Sequence, residues 1–391
     1  MKDLSRKIAR RPVAATFDRG LTVLETVESS VHPMNIQEIA AATGIQRLAV
    51  YRLLSTLEQR GYIRRGGDKR YRAVKRRKGL LIGYCAPLKG NAFRVDLATS
   101  IQEAASQAGI GVMMLDNAPE DAAAALSNAE RLIEARADLA MFFQPAERVG
   151  HMLSDRFLGA GLKFVTIERA IQGGVYFGAN NYLAGKLAGR ALGRFAQRNW
   201  GGRFDRVVLV EGTPSSTNLH ARLAGVLIGL REVFGPVDES RVSHLHGEAS
   251  GEKSRLVMRE YLATLRPGTK LLVSGFNDLS AVGVAQAVRE AGWTESVAIV
   301  GHNAAQEGRD EIRREGSPFI ASVAYFPERY GPRLLRLAES MIAGEAVPPA
   351  VYMEHEVIDR DNIDLLYPPL TAATPAKSSP PAPAFAEPRP L

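Results

Sequence analysis

The chain has 391 residues, of which 46% are hydrophobic and 24% charged, an ordinary balance for a globular protein with room for two or three domains. Its one cysteine, Cys85, excludes an internal disulfide and is typical of a reducing compartment. No segment approaches the ~18 consecutive apolar residues of a membrane span, so no membrane partner is expected.

The positive charge is concentrated at one end of the chain. Residues 1–78 carry 18 Lys and Arg against 7 Asp and Glu, although the net charge of the whole chain is only +8. Residues 1–16 form a basic arm without the apolar segment of a secretory signal, which favours a cytoplasmic protein. A basic head on a nearly neutral body predicts that the head binds nucleic acid and the body binds a small molecule.

The head shows three amphipathic helices followed by a β-hairpin. We predict helices over 18–29, 36–43 and 46–60, the first capped by Asp18 and the second ended by Gly44. Two extended runs, 62–65 and 70–73, are joined by GGDK and indicate a hairpin. The predicted inward side chains are Leu21, Leu24 and Val27, then Ile36, Ile39 and Ala40, then Val50, Leu53, Leu54 and Leu57.

The third helix and the hairpin present polar and basic side chains that suit DNA. Arg and Gln on a helix pair with base edges in the major groove or hold phosphates, and a basic hairpin can lie along the backbone or minor groove. The alternative is a three-helix interaction module with a solvated charged face, in which each arginine stays in water. The predicted DNA-binding residues are Gln46, Arg47, Tyr51, Arg52, Arg65, Lys69 and Arg70.

Four short motifs in the head carry a family resemblance. DRGL at 18–21, EIAAATGI at 38–45, VYRLLSTLEQRGYI at 50–63 and RYR at 70–72 resemble the winged helix-turn-helix of IclR-type bacterial transcription regulators over residues 17–74. The resemblance implies binding to double-stranded operator DNA. One departure is that Leu48 and Ala49 stand where such heads often carry Ser or Thr.

After a basic linker at 75–79, short apolar runs alternate with helical patterns, which predicts a body of parallel βαβ units in two lobes. Residues 368–391 are rich in Pro and Ala and indicate a disordered tail. The nine predicted strands are Leu80–Cys85, Gly111–Leu115, Asp138–Phe143, Lys163–Ile167, Arg206–Val210, Val242–Leu245, Leu271–Ser274, Ala298–Gly301 and Ile320–Val323.

Polar and aromatic residues cluster just beyond the ends of these strands, where open α/β sheets bind ligands. The mixture of guanidinium, amide, carboxylate and aromatic groups suits a carbohydrate. Lys89 and the pair Asn180-Asn181 belong to the same clusters. The predicted ligand-binding residues are Phe93, Glu168, Arg169, Arg222, Asn277, Asn303 and Tyr325.

The order of these elements over residues 79–367 resembles the sugar-binding periplasmic-protein fold used in the effector domain of LacI-type repressors. The matching pieces include VTIER at 165–169, ARLAGVLIGL at 221–230, GFNDLSAVGV at 275–284 and AIVGHN at 298–303. The resemblance implies a type I fold with a first lobe of 80–180 and 326–352 and a second lobe of 181–325 and 353–367. It also implies that six of the predicted residues, all but Glu168, line the cleft between the lobes.

Two departures from that pattern bear on the ligand. Asn303 stands where many relatives have Asp, and Glu168 replaces a common Asp. An asparagine both donates and accepts hydrogen bonds but loses the charge-assisted bond of a carboxylate. A neutral sugar is the leading expectation, and an acidic or phosphorylated sugar remains open because arginines are nearby.

No catalytic signature or cofactor motif is found in the sequence. His244-x-His246 has no third ligand nearby in the sequence, so no metal is expected. The leading hypothesis is therefore a DNA-binding transcription regulator controlled by a small ligand, acting as a homodimer or dimer of dimers. The alternatives are a solute receptor of a transport system and, less favoured, an α/β sugar-modifying enzyme.

Overall fold

The computed structural model describes residues 14–60, 62–66, 68–73, 79–89, 92–117, 121–212 and 217–369. The predicted tail lies outside the described residues from 370 onwards, and so do most of the basic arm and the linker. The chain divides into two units, Met1–Leu80 and Leu81–Leu391, here called the head and the body. Among the described helices, none has the length and apolar character needed to cross a membrane.

The head consists of three helices and an antiparallel hairpin in which Arg64 pairs with Arg72. Asn35 and Glu38 form a capping box at the start of the second helix, and Gly44 ends that helix in the left-handed conformation. The core of the head joins all three helices to the hairpin. The elements are α1 (Ala15–Ser29), α2 (Ile36–Thr43), α3 (Arg47–Gln59), β1 (Ile63–Arg65) and β2 (Tyr71–Ala73).

The start of α1 corrects two predictions. The helix begins at Ala15 and has no side-chain cap, so Asp18 lies in its first turn instead of capping it. Leu21 is 41% exposed, whereas Val23 is buried together with Leu24 and Val27. Val27 lies four residues after Val23 and three after Leu24, the spacing that places side chains on one face of a helix.

The first lobe of the body is a parallel six-stranded sheet in the order β13-β7-β6-β5-β3-β4. Its core is aromatic, with Phe142, Phe157 and Phe164 in mutual contact and Cys85 buried among the same residues. The elements are β3 (Leu81–Ala86), α4 (Ala92–Ala108), β4 (Gly111–Asp116), α5 (Ala122–Glu134), β5 (Leu139–Phe142), α6 (Glu147–Gly159), β6 (Phe164–Ile167), β7 (Val175–Ala179), α12 (Tyr330–Ala343) and β13 (Ala350–Met353).

The second lobe is a six-stranded sheet in the order β14-β12-β11-β10-β8-β9, in which only β14 runs antiparallel to its neighbour. The elements are α7 (Asn181–Trp200), β8 (Arg206–Glu211), α8 (Thr217–Phe234), β9 (Val242–His246), α9 (Gly251–Ala263), β10 (Leu271–Ser274), α10 (Asp278–Glu290), β11 (Val297–Asn303), α11 (Gln306–Arg313), β12 (Phe319–Ala324), β14 (Glu356–Asp359) and α13 (Ile363–Leu366).

All nine predicted strands are present, and three further strands were missed: β7, β13 and β14. The missed strands lie next to the points where the chain crosses between the lobes, after β7, after β12 and between β13 and β14. His355 joins these three crossings. Its Nε2 accepts from the Asn180 amide at 3.0 Å, its Nδ1 lies 3.2 Å from the Ala324 carbonyl, and its ring packs on Tyr325.

Candidate ligand cleft and DNA-binding surface

A cavity of about 340 Å³ lies at the carboxyl ends of the strands of both lobes. This position follows from the topology, because loops that leave parallel strands gather at the same edge of a sheet. The structure brings all seven predicted ligand-binding residues to its wall. Its described lining also includes Arg94, Phe143, Asn181, Phe276 and Glu307.

Arg222 on α8 is 7% exposed and is held in one orientation. Its Nε and Nη2 donate to the Asn181 Oδ1 at 3.1 and 2.7 Å, and its Nη1 donates to the Phe276 carbonyl. The guanidinium lies 5.0 Å from the ring centroid of Phe276 and 5.2 Å from that of Tyr325. A guanidinium has five N–H donors, so Arg222 retains donors for a ligand while the scaffold fixes its plane.

Tyr325 follows β12, is buried and lines the cavity. Its hydroxyl lies 3.4 Å from the Nδ1 of His302, and its ring centroid is 4.8 Å from that of His355. Burial raises the pKa of the phenol and lowers the pKa of both imidazoles, that of His355 to about 4. These three rings are therefore uncharged at neutral pH.

Glu168 follows β6 with a φ of 60°, a left-handed conformation that is uncommon for a residue other than glycine. Its Oε1 accepts hydrogen bonds from the Tyr330 hydroxyl at 2.6 Å and from the Ala179 amide at 3.0 Å. A Cβ on Gly178 would lie 2.7 Å from the same oxygen, so glycine makes room for it. Burial raises the pKa of the Glu168 carboxyl, which is bonded to the first lobe's own scaffold.

Arg169 and Arg94 form the basic part of the first-lobe wall. The Arg169 Nη1 lies 3.5 Å from an oxygen of Glu147, and the Arg94 guanidinium lies 5.7 Å from the ring centroid of Phe143. Burial lowers the pKa of both arginines. Phe143 also makes an edge contact with Phe93, and together these rings give the wall an apolar face.

Two asparagines form part of the second-lobe wall. Asn277 caps α10, its Oδ1 accepting from the Ser280 amide at 2.8 Å, which leaves its amide nitrogen as a donor. Asn303 ends β11 with a φ of 109°, in a region that side chains rarely adopt. Burial raises the pKa of the neighbouring Asp278 to about 8. Its oxygens accept from the Ser322 hydroxyl and the Ala305 amide, both at 2.6 Å, so Asp278 fastens the loop after β11.

Sequence reasoning did not select five of the polar, charged or aromatic wall residues, and for Glu307 it offered no signal at all. Arg94 is the residue after Phe93, Phe276 stands in the quoted GFND motif, and Phe143 ends a predicted strand. Asn181 was recognised within a polar pair but was not chosen. The available signal was adjacency to a selected residue for Arg94 and Phe276, the end of a predicted strand for Phe143, and the polar pair for Asn181. Lys89 is exposed and is absent from the described cavity wall, and its neighbours 90 and 91 lie outside the described residues.

The outer side of α3 is exposed where the DNA-binding residues were predicted. Gln46 occupies the N-cap without a side-chain cap bond, and Arg47, Tyr51 and Arg52 are exposed. The opposite side of the helix buries Val50 and Leu54 in the core of the head. A helix of 13 residues held by one buried face can offer the other to a major groove.

The basic side chains predicted to bind DNA from the hairpin differ in their surroundings. Arg65 and Lys69 are exposed, and the Arg65 guanidinium lies 5.7 Å from the ring centroid of Tyr71. Arg70, by contrast, donates from its Nη1 to the Pro33 carbonyl at 2.8 Å and to Glu38 at 3.1 Å. These bonds tie the hairpin to the start of α2.

The HxH pair on β9 is engaged by a carboxylate. The Nδ1 of His244 lies 2.6 Å from the Glu211 Oε1, and the Nδ1 of His246 lies 2.9 Å from its Oε2. The His244 side chain is 49% exposed and that of His246 is 71% exposed. Surface contacts of this kind contribute little to stability, about 0–1 kcal/mol.

The fold is similar to that of solved solute-binding proteins. One from Actinobacillus succinogenes 130z, with bound D-allose, is 17% identical over 72% of this chain and 98% of that chain, with a TM-score of 0.63. One from Bacillus halodurans C-125, with bound myo-inositol, is 16% identical over 75% and 99%, with a TM-score of 0.63. A protein from Mycobacterium smegmatis in complex with β-D-fucofuranose is 21% identical over 74% and 95%, again with a TM-score of 0.63.

Fold and site together define a DNA-binding head followed by a ligand-binding body. The model of the periplasmic binding protein domain matches residues 82–346, and the chain belongs to this family. The IclR helix-turn-helix domain matches residues 16–67. Among curated proteins, none matches the chain. The two domains in one chain make a ligand-responsive DNA-binding regulator.

Proposed function

We propose that the chain is a cytoplasmic transcription regulator whose affinity for operator DNA is set by a sugar bound between the two lobes of its body. The observation that carries the proposal is the cavity of about 340 Å³ that gathers all seven predicted side chains, in a chain that also presents the arginine-bearing face of α3. Both matched domains are binding domains, so we propose binding and not catalysis.

The chemistry of the wall supports a sugar as the ligand. Arg222 and Asn277 supply donors for hydroxyl oxygens, and Phe93, Phe143 and Phe276 offer apolar faces to the C–H side of a ring. Structural relatives bind D-allose, myo-inositol and β-D-fucofuranose, which are molecules of the size that such a cavity accepts. The two lobes give the ligand contacts on both sides.

The mechanism we propose is a population shift. A ligand that contacts both lobes favours their closed arrangement, and the three crossing segments joined by His355 act as the hinge. In a homodimer or dimer of dimers formed through the body, closure would change the spacing of the two heads and their match to paired half-sites. Light scattering of the purified chain tests the dimer.

The proposal that the head binds operator DNA can be tested before the ligand is known. The full chain is used to select binding sites from a random double-stranded DNA library, and affinity for the selected site is measured by fluorescence anisotropy. We expect the double variant Arg47→Ala with Arg52→Ala to weaken binding at least about tenfold, because each base or phosphate contact contributes about 1–3 kcal/mol. Arg19→Ala, which removes an exposed charge from α1, is the matched control and should bind nearly normally.

Unchanged DNA affinity in the double variant would show that α3 is not the helix that reads the DNA.

We assign Arg70 a positioning function, because its guanidinium is bonded to Pro33 and Glu38. Arg70→Ala should therefore lower the thermal stability of the head as well as DNA affinity, whereas the α3 variants should lower affinity alone.

A further inference from the structure

The exposed side of α3 carries apolar side chains as well as basic ones. Leu48 is 66% exposed and Tyr51 is 50% exposed, whereas Val50 and Leu54 of the same helix are fully buried in the core of the head. Positions 48 and 51 are three residues apart, so their side chains are neighbours on one side of the helix. Leu48 and Tyr51 together form a small apolar patch that the head leaves in contact with water.

This patch lies among positive charges. A single exposed leucine is common on protein surfaces and needs no explanation, but here Arg47 precedes it and Arg52 follows it by four residues, one turn along the same side of the helix. Both arginines are exposed, and the sequence from 47 to 54 contains neither Asp nor Glu. The surface is therefore complementary to a partner that offers an apolar group surrounded by negative charges.

The major groove of DNA offers this combination. Phosphates line its rims, and thymine is the one base that carries an apolar group, its C5 methyl, on the major-groove edge. The other three bases present hydrogen-bond donors and acceptors there. A leucine placed against those groups takes them out of water without replacing their hydrogen bonds, which is unfavourable. The chemistry of a leucine at this place therefore favours thymine over the other bases.

Leu48 also lies at the part of the helix that contacts bases in this motif. It is the second residue of α3, and the residues near the N-terminus of a recognition helix are those that reach base edges. Arg47 and Arg52 can hold phosphates, but the Leu48 side chain has no hydrogen-bonding atom and can interact only through apolar contact. Its exposure is then explained by a partner group that is itself apolar.

We propose that Leu48 is a specificity-determining residue of the head, which contacts the C5 methyl group of a thymine in each half-site of the operator. Tyr51 enlarges the apolar surface around that methyl group. The proposal rests on the proposed function, because it takes α3 to be the helix that reads DNA. It adds the identity of one base that the operator must contain where α3 enters the major groove.

The test removes the methyl group from the DNA without changing its base pairing. The full chain selects a site from the random double-stranded library, and each thymine of that site is replaced in turn by deoxyuridine, which lacks only the C5 methyl. We expect at least one replacement in each half-site to weaken binding about three- to fivefold in fluorescence anisotropy, the effect of losing one buried methyl group. Replacements away from the contact should change affinity little.

Leu48→Ala connects the methyl group to this side chain. The variant should bind the selected site several-fold more weakly than the wild type, and it should lose no further affinity when the sensitive thymine becomes deoxyuridine. A change that uracil makes to the shape of the duplex would persist in Leu48→Ala, so this cycle isolates the direct contact. Leu48→Met keeps a long apolar side chain and should retain the sensitivity to deoxyuridine. Val31→Ala, which truncates an exposed side chain between α1 and α2, is the matched control.

The outcomes separate this inference from the proposed function. A selected site that binds tightly but is insensitive to every deoxyuridine replacement overturns the inference and leaves the DNA-binding regulator standing. Equal losses on deoxyuridine in the wild type and in Leu48→Ala also overturn it, because another side chain then contacts the methyl group. Selection of no site from the library contradicts the proposed function together with the inference.

A second copy of the chain is the other occupant that the patch could accept. Leu48→Ala that loses the dimer in light scattering and keeps the response to deoxyuridine would assign the patch to that copy and overturn the inference. The deoxyuridine scan uses the wild-type chain, so it gives a result even where a variant fails to fold.

Discussion

Replacing Arg222 by lysine keeps the positive charge of the cavity and removes the planar fork. The arginine makes three hydrogen bonds, two to the Asn181 Oδ1 and one to the Phe276 carbonyl, while its plane lies beside two aromatic rings. A lysine ammonium is a single nitrogen and can retain about one of them. Since a hydrogen bond to a charged group contributes about 1.5–3 kcal/mol, losing two at the lower end of this range removes about 3 kcal/mol.

The two tryptophans make this loss measurable, because Trp200 ends α7 and Trp293 packs against the core of the second lobe. We expect urea unfolding followed by tryptophan fluorescence to show the second lobe destabilised by about 3 kcal/mol in Arg222→Lys. We also expect the monosaccharide that the wild type binds most tightly to lose at least about tenfold in affinity. Arg231→Lys, on the exposed side of the same helix, should behave like the wild type. Normal ligand affinity in Arg222→Lys would refute the assignment of this side chain to the ligand.

Two further predictions concern stability. Gly189→Ala would place a Cβ 2.1 Å from the Val226 carbonyl oxygen where α7 and α8 touch, so we expect a loss of about 1–3 kcal/mol or more in thermal unfolding. Gly159→Ala, with open space at the same distance, should not destabilise. Burial holds the pKa of His302 and His355 below the ordinary value of about 6.5, so the unfolded chain binds protons that the folded chain does not. The contribution of both histidines to the free energy of unfolding therefore falls as the pH drops below about 6.5, and for His355 the fall extends to about pH 4. We expect the difference in free energy of unfolding between the wild type and His355→Gln, measured in urea, to decline by about 3 kcal/mol between pH 6.5 and 4. A difference that does not change with pH would contradict the lowered pKa of His355.

The βαβ body was predictable because its central strands are short apolar runs bounded by polar loops. The strands that were missed have a different character. The run AVYMEHEVID divides between two sheets, β13 joining the first lobe and β14 the second. Its local sequence pattern does not indicate that the chain passes from one lobe to the other at His355. The position of this crossing is set by the pairing of β13 with β7 and of β14 with β12.

The candidate site was predictable to the level of loops but less so to the level of side-chain roles. The ends of parallel strands led to seven residues that the structure gathers in one cavity. The sequence did not show which partners these side chains bond to in the folded protein. Glu168 bonds back to Tyr330 and Ala179, and Arg70 bonds to Pro33 and Glu38, because residues far apart in the chain meet only in the folded state.

The central claim is that a ligand in the cleft changes the affinity of the head for DNA, and thermodynamic linkage tests it most directly. Operator affinity would be measured by anisotropy with and without the saturating sugar, and sugar affinity by calorimetry with and without saturating operator. Coupling requires the same factor in both directions, and we expect it to be about fivefold or more. Equal DNA affinity with and without a sugar that demonstrably binds the cleft would contradict the account.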